Sequence, residues 1–249
     1  MSEIAQLFGA HAGAYASFRP HYPAALFDWL ASHCAERQRA LDIACGNGQA
    51  SVPLCRHFAQ VLACDASIEQ LRAAETPAGI ALFAANAEAQ PLIGASLDLI
   101  VVAQALHWFA TPAFFAEVTR LLKPGGLFGA WCYGLMRIND PVDELIDDFY
   151  RGTLQGYWPP GRASVDSGYR DIQMPFPRLE PPAFAIEARW SFTQLTGYLR
   201  TWSAVQYWER QRGRDPVSEL EPALRKAWGD IKQPRLVRWP LHLLVGIAH

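Results

Sequence analysis

The run Leu41-Asp42-Ile43-Ala44-Cys45-Gly46-Asn47-Gly48-Gln49-Ala50-Ser51 constrains this chain more than any other stretch. Leu41 to Ala44 has the apolar character of a short buried strand, interrupted only by Asp42. Gly-Asn-Gly follows, and then a helix-like run from Ala50 to Phe58. A strand that turns at once into a helix leaves backbone N–H groups pointing outward at the helix start, and glycines let a ligand press against bare backbone. Open α/β sheets bind nucleotides at such a point, just past the carboxyl end of a strand. Ala44, Cys45, Gly46, Asn47, Gly48 and Gln49 are therefore expected to cradle a cofactor.

The dinucleotide fingerprint G-x-G-x-x-G/A fits at Gly46 and Gly48, but its third position is Ser51. Asp42, inside the strand, suits a cationic ligand, and S-adenosylmethionine (SAM) carries a sulfonium and an ammonium. Asp65 ends the second strand, Val61-Leu62-Ala63-Cys64-Asp65, and with Ala66 beside it could accept from both ribose hydroxyls. That role is shared with NAD enzymes, so Asp65 alone does not choose between the two cofactors.

The chain has 249 residues, 51% of them hydrophobic and 18% charged, which suits a globular α/β protein and excludes a disordered one. A net charge of −2 gives no reason to expect a nucleic-acid or anionic-membrane partner. The five cysteines make an odd count with no C-x-x-C spacing, so they read as small buried residues in a reducing compartment, with no disulfide frame and no metal site. Met1-Ser2-Glu3-Ile4 lacks a basic leader, and no run approaches the roughly 18 apolar residues of a membrane span. A cytoplasmic location is the expectation.

In chain order, Tyr15 to Pro23 interleaves aromatics with Arg19, Pro20 and Pro23, too aromatic for a disordered tail. Residues 1–38 read as an N-terminal cap and helix, with Tyr15 stacking on the cofactor and Arg19 pairing with its carboxylate. Residues 39–133 alternate strand and helix as a cofactor-binding core, with strands at 61–65, 80–84, 97–103 and 127–133; the alternation implies parallel strands and right-handed crossovers. Ser67 and Thr111 are placed to cap helices; the second has Pro112 in its first turn and Lys123 in its last, and Pro124-Gly125-Gly126 is expected to end it. Asn86, Ala87 and Glu88 follow the third strand, where a polar side chain can meet an adenine amino group. Gln104, His107 and Trp108 follow the fourth, a near-continuous apolar run from Leu97 to Ala103. Residues 134–183 begin with a helix over 140–151 and continue as a long aromatic, Gly- and Pro-rich insertion, read as a lid. In 184–249, strands are expected at Phe184–Phe192 and Trp239–Ile247, and helices at Leu195–Trp208 and Glu219–Trp228. With no internal repeat or linker, 1–249 reads as a single domain.

These segments together resemble the class I SAM-dependent methyltransferases. The resemblance rests on Asp42 to Gly48, Asp65, Ala87-Glu88-Ala89-Gln90-Pro91-Leu92, Ala103-Gln104-Ala105-Leu106-His107-Trp108-Phe109 and Arg120 to Gly126, all in family order. Phe18 to Pro23 and Tyr198 to Ser203 are similar to the small-molecule branch related to trans-aconitate methyltransferases. The resemblance implies a Rossmann-like α/β fold: a seven-stranded, mostly parallel sheet with an antiparallel last strand, helices on both faces, and helical lid elements. It also implies SAM as cofactor and a small-molecule methyl acceptor, a carboxylate among the candidates, in a monomer or homodimer. Asn86 stands where many members carry Asp.

In such a reaction the cofactor carries the chemistry and the protein aligns nucleophile, methyl carbon and sulfur. A carboxylate acceptor needs no base, whereas a hydroxyl or amine would, and His107 is then the candidate. Arg19, Arg137 and Arg170 are available to recognise a carboxylate. Two alternatives stay open on the residues: a nicotinamide-dependent Rossmann oxidoreductase, and a SAM-binding protein without catalysis.

Overall fold

The computed structural model describes residues 21–248 except 75, 76 and 78. Tyr15, Arg19 and most of the expected cap lie outside the described residues. Pro23, extended at the N-cap, opens α1 (Ala24–Ser32), whose Leu26, Phe27 and Leu30 are buried. The core follows as β1 (Arg39–Ile43), α2 (Ser51–Leu54), β2 (Gln60–Asp65), α3 (Ile68–Ala73), β3 (Ile80–Ala84), β4 (Leu97–Ala103), a 3-10 turn (Leu106–Trp108), α4 (Pro112–Leu121) and β5 (Leu122–Tyr133). Then come α5 (Asp140–Asp148), a π-helical turn (Phe149–Thr153), α6 (Arg162–Asp166) and β6 (Arg178–Leu179). The chain closes with β7 (Ala185–Trp190), α7 (Phe192–Arg200), α8 (Ser203–Arg212), α9 (Pro216–Trp228) and β8 (Arg235–Ile247).

The strands lie in the order β3-β2-β1-β4-β5-β8-β6, with β7 also on β8. The first five are parallel and β8 runs antiparallel to β5, from Leu127 opposite Ile247 to Tyr133 opposite Leu241. This is the expected mixed sheet, with one addition: the two-residue β6 shares the outer edge of β8 with β7. β8 serves two sets of partners because Pro240, which has no N–H, stands where its pairing passes from β7 to β5. β4 is buried on both faces. Leu99 and Val101 face a layer with Phe27, Leu30 and Trp131, while Ile100 and Val102 face one with Phe114, Val118 and Phe128. That two-residue alternation places helices on either side of one sheet. No helix among the described residues is long and apolar enough to cross a membrane.

Ser67 and Thr111 cap α3 and α4, accepting from the backbone N–H of Gln70 and Phe114. Several boundaries differ from expectation. The helix expected over 50–58 is only Ser51–Leu54, followed by turns. The one expected over Leu195–Trp208 is two helices, because Trp202 turns extended between them, its ring packing near Tyr150, Trp158 and Tyr198. The helix expected over 140–151 widens into the π turn after Asp148. Lys123 to Gly126, expected to end a helix, begin β5 instead.

Lys123 there does something a helix end would not. Its ammonium lies 2.6 Å from Asp98 and 2.8 Å from Glu36. Asp98, 4% exposed, also accepts the amides of Gln38 and Arg39 at 2.8 Å each, tying the start of β1 to β4 and β5. Burial alone would raise its pKa, but Lys123 and the two amides prevail and hold it below the usual carboxylate value. Asp98→Ala leaves two amides and a lysine without their acceptor and is expected to cost roughly 2 kcal/mol. Urea denaturation checks this, and an unchanged midpoint would show that water replaces the carboxylate freely.

Candidate active site

The carboxyl ends of β1 and β4 diverge here, which is the switch point of an open α/β sheet. Two non-glycine residues there adopt left-handed backbone, Ala44 with φ 57° after β1 and Gln104 with φ 56° after β4. Such strain persists only where surrounding structure imposes it, and it gathers at ligand sites. Gln104 is imposed by a ladder-like clasp: its backbone N–H donates to Trp131 O, and its side-chain amide both donates to and accepts from the backbone of Tyr133. Gly46 and Gly48, at φ 55° and 88°, complete the turn after β1.

A cleft of about 620 Å³ opens between these ends, within the range of small-molecule sites. Of the residues singled out on the sequence, Ala44, Cys45, Gly46, Asn47, Gln49, Asp65, Ala66, Asn86, Ala87, Glu88, Gln104 and Trp108 line it. Asp42, Gly48 and His107 do not. The lining also includes Tyr22, Ser67, Gln70, Phe109 and Thr111, which sequence reasoning did not assign to the cofactor. Gln70 and Thr111 carry no motif; they reach the cleft because α3 and α4 begin at its rim.

Asp65 organises the floor. One carboxylate oxygen accepts the Gly46 amide at 2.9 Å and the other the Ser67 amide at 2.8 Å. Across the cleft, Glu88 accepts from the Thr111 hydroxyl, and the Asn86 carbonyl accepts from Ala89 N–H and the Gln90 side chain. Beneath the glycine turn lies Asp42, fully buried. Its Oδ2 accepts from Ser51 Oγ at 2.5 Å, while Oδ1 has no hydrogen-bond partner among the described residues. Burial pushes its pKa up to about 7, the Ser51 bond opposes that, and the Asp65 charge adds to it. A buried carboxyl group with an unused oxygen, behind the glycine turn, suits a cationic cofactor such as SAM.

His107 faces the other way. The turn Leu106–Trp108 presents Ala105 and Trp108 to the cleft, while the imidazole packs against the insertion. Its Nδ1 lies 3.2 Å from the Tyr169 hydroxyl, and a Cβ at Gly161 would come within 3.2 Å of the ring. Burial, with the Arg162 charge, lowers its pKa to about 4, so the ring is neutral at pH 7. Arg162 was not singled out on the sequence. Of the arginines that were, Arg137 pairs with Asp147 at 3.0 Å.

The two shifted groups act on stability with opposite signs. The unfolded chain protonates His107 near pH 6.5 and the fold only near pH 4, so that group removes stability as pH falls through this window. Asp42 is favoured neutral in the fold, so it removes stability as pH rises from about 3.8 through about 7. Asp42→Asn is therefore expected to gain on the order of 2 kcal/mol relative to the wild type between pH 4 and pH 8. Urea melts at both pH values measure it, and parallel pH dependence of the two proteins would contradict it.

A family model described as a methyltransferase domain matches residues 41–130. A Dictyostelium discoideum protein named as a methyltransferase is 33% identical over 247 residues, covering 96% of this chain and 94% of its own. A Saccharomyces cerevisiae protein named as a SAM-dependent methyltransferase is 27% identical and spans 90% of this chain and 91% of itself. Among solved structures, a protein named as a type II methyltransferase from Anaeromyxobacter dehalogenans has a TM-score of 0.88 at 44% identity, covering 93% of this chain and 99% of that one. The nicotinamide alternative gives way to these likenesses, which run far beyond the glycine turn. A strained switch-point cleft with an acidic residue beneath its glycines, on a chain alike from end to end with methyltransferases, belongs to the class I SAM-dependent methyltransferases.

Proposed function

We propose that this enzyme, acting as a single catalytic domain, transfers the SAM methyl group to a small-molecule acceptor. The acceptor is held between the turn at 104–109 and the 134–183 insertion, and the enzyme belongs to the branch related to trans-aconitate methyltransferases. The carrying observation is the two-sided turn: Ala105, Trp108 and Phe109 line the cofactor cleft, while His107 on the same turn meets the insertion at Gly161 and Tyr169. SAM supplies an electrophilic methyl whose sulfur leaves as a neutral thioether. The chain's own residues bind and orient. Asp65 accepts from the ribose hydroxyls, and the turn from Cys45 to Gly48 meets the charged end, with Asp42 behind it. Asn86 to Glu88 flank the adenine, and Gln104 and Trp108 wall the methyl side. A small-acid and metabolite screen reading S-adenosylhomocysteine tests this. Turnover with a small acid supports it; turnover confined to macromolecular acceptors contradicts it.

A carboxylate is the favoured acceptor because the groups beside His107 are donors. The Arg162 guanidinium lies 4.8 Å over the Trp158 ring and 5.1 Å over Tyr150. Its only hydrogen bond among the described residues uses Nε, toward the Tyr150 hydroxyl, and its ion pair is with Asp166 at 3.3 Å. Both terminal amino groups remain as a fork for an oxyanion.

A further inference from the structure

Two facts about Tyr169 bear on how His107 works. The tyrosine is 1% exposed, and its hydroxyl lies 3.2 Å from His107 Nδ1. A phenol has one hydrogen to give. Buried as it is, that hydrogen goes to a partner that carries a lone pair, and among the described residues the hydrogen-bond partner of the Tyr169 hydroxyl is His107 Nδ1. The reverse arrangement would have Nδ1–H donate to the oxygen. The phenolic hydrogen would then be buried without an acceptor, at a cost of about 1–3 kcal/mol. Tyr169 is held to this duty by its backbone: it sits at φ 63°, directly after Gly168 at φ 66°, a conformation a bulky residue adopts only when the surroundings impose it.

We propose that Tyr169 is a positioning residue of the methyl transfer: it holds the His107 imidazole as the tautomer protonated on Nε2, so that His107 orients the acceptor as a hydrogen-bond donor and does not remove its proton. The part of this that concerns the acceptor rests on the proposed function above. In this tautomer the nitrogen that could face an acceptor carries a hydrogen and has no lone pair to take another. Arg162 works in the same direction, since its charge disfavours an imidazolium beside it. Both groups then present only N–H donors, which is a site for an oxygen nucleophile that already bears its negative charge. The acceptor oxygen forms its bond to the methyl carbon, the carbon–sulfur bond breaks with its electron pair on sulfur, and no proton has to leave.

The tautomer can be read directly, on the intact enzyme and without an acceptor. Nitrogen-15 histidine labelling and heteronuclear spectra at pH 7 distinguish the two ring nitrogens, and the His107 signals are those missing from His107→Gln. The expected pattern is an unprotonated Nδ1 and a protonated Nε2. Tyr169→Phe, which keeps the ring and deletes the donor, should transfer part of the population to Nδ1–H. A wild-type His107 protonated on Nδ1, or a Tyr169→Phe spectrum identical to wild type, overturns the proposal. With the acceptor obtained from the metabolite screen, His107→Gln retains an N–H donor but no base. It should stay within about tenfold of wild type, while His107→Ala loses roughly 100-fold, as for removal of one preorganised donor. Equal losses in the two variants overturn the donor role. A metabolite screen that finds no small acceptor counts against the proposed function alone, because the spectra do not depend on it.

Discussion

Gly46→Val is expected to weaken SAM binding by about 100-fold or more, close to 3 kcal/mol, in a protein whose sheet still forms. Gly46 stands at φ 55°, where a β-branched residue is a true outlier, so the turn must shift at a cost of about 1–3 kcal/mol. A shift there breaks the 2.9 Å bond from its amide to Asp65, the contact that sets the carboxylate against the cleft. The new side chain also takes space from the ligand. A Cβ at this position meets only Gln70 Oε1, at 3.9 Å, and both residues line the cleft. The core is untouched, so far-UV circular dichroism should match wild type while calorimetric titration with SAM shows the loss. A folded variant that binds SAM as tightly as wild type would remove the glycine turn from the site.

The largest effect on stability is expected at Trp131. This residue is completely buried in β5, at the centre of the layer that joins α1 to the sheet. Its ring meets Tyr22 edge-on at 5.4 Å and Phe27 at 6.0 Å. Trp131→Ala is expected to cost about 3–5 kcal/mol, the transfer term of a large ring plus the cavity it leaves. It should also weaken SAM binding, because Tyr22 lines the cleft and would lose the surface it leans on. Trp131→Phe should behave differently. The Trp131 Nε1 hydrogen is buried with no partner among the described residues, and phenylalanine deletes that liability along with some volume. The two changes offset, and the cost should stay under about 1.5 kcal/mol. Urea denaturation of the pair checks this, and equal destabilisation by both substitutions would mean that the indole nitrogen is satisfied.

The turn, strand end and helix caps around the cleft were legible in the sequence because each is local. A glycine at positive φ, an acidic residue at a strand end and an N-capping Ser or Thr each act within a few residues of themselves, so Gly46, Asp65, Ser67 and Thr111 could be placed by short-range rules. β4 was legible for a similar reason, since burial on both faces leaves an unbroken apolar run. The mixed sheet with its reversed last strand was implied by the family likeness, not by any single pattern.

Local rules did not reach the direction in which a side chain faces across a turn. His107 lies next in sequence to Trp108, yet the 3-10 turn sends Trp108 to the cofactor cleft and His107 to the insertion. Burial, with the charge of Arg162 more than fifty residues later, keeps that imidazole neutral, and Tyr169 lies 3.2 Å from its Nδ1. Asp42 was read as a residue for a cationic ligand, and its neighbours Ser51 and Asp65 were in view. Only its complete burial under the glycine turn shows that it lies behind the loop and resists ionisation there. Chain order determined which elements this protein has and which strand ends meet at the cleft. Packing between distant segments decided which groups face the ligand and in what protonation state, because desolvation and charge proximity depend on what lies across space.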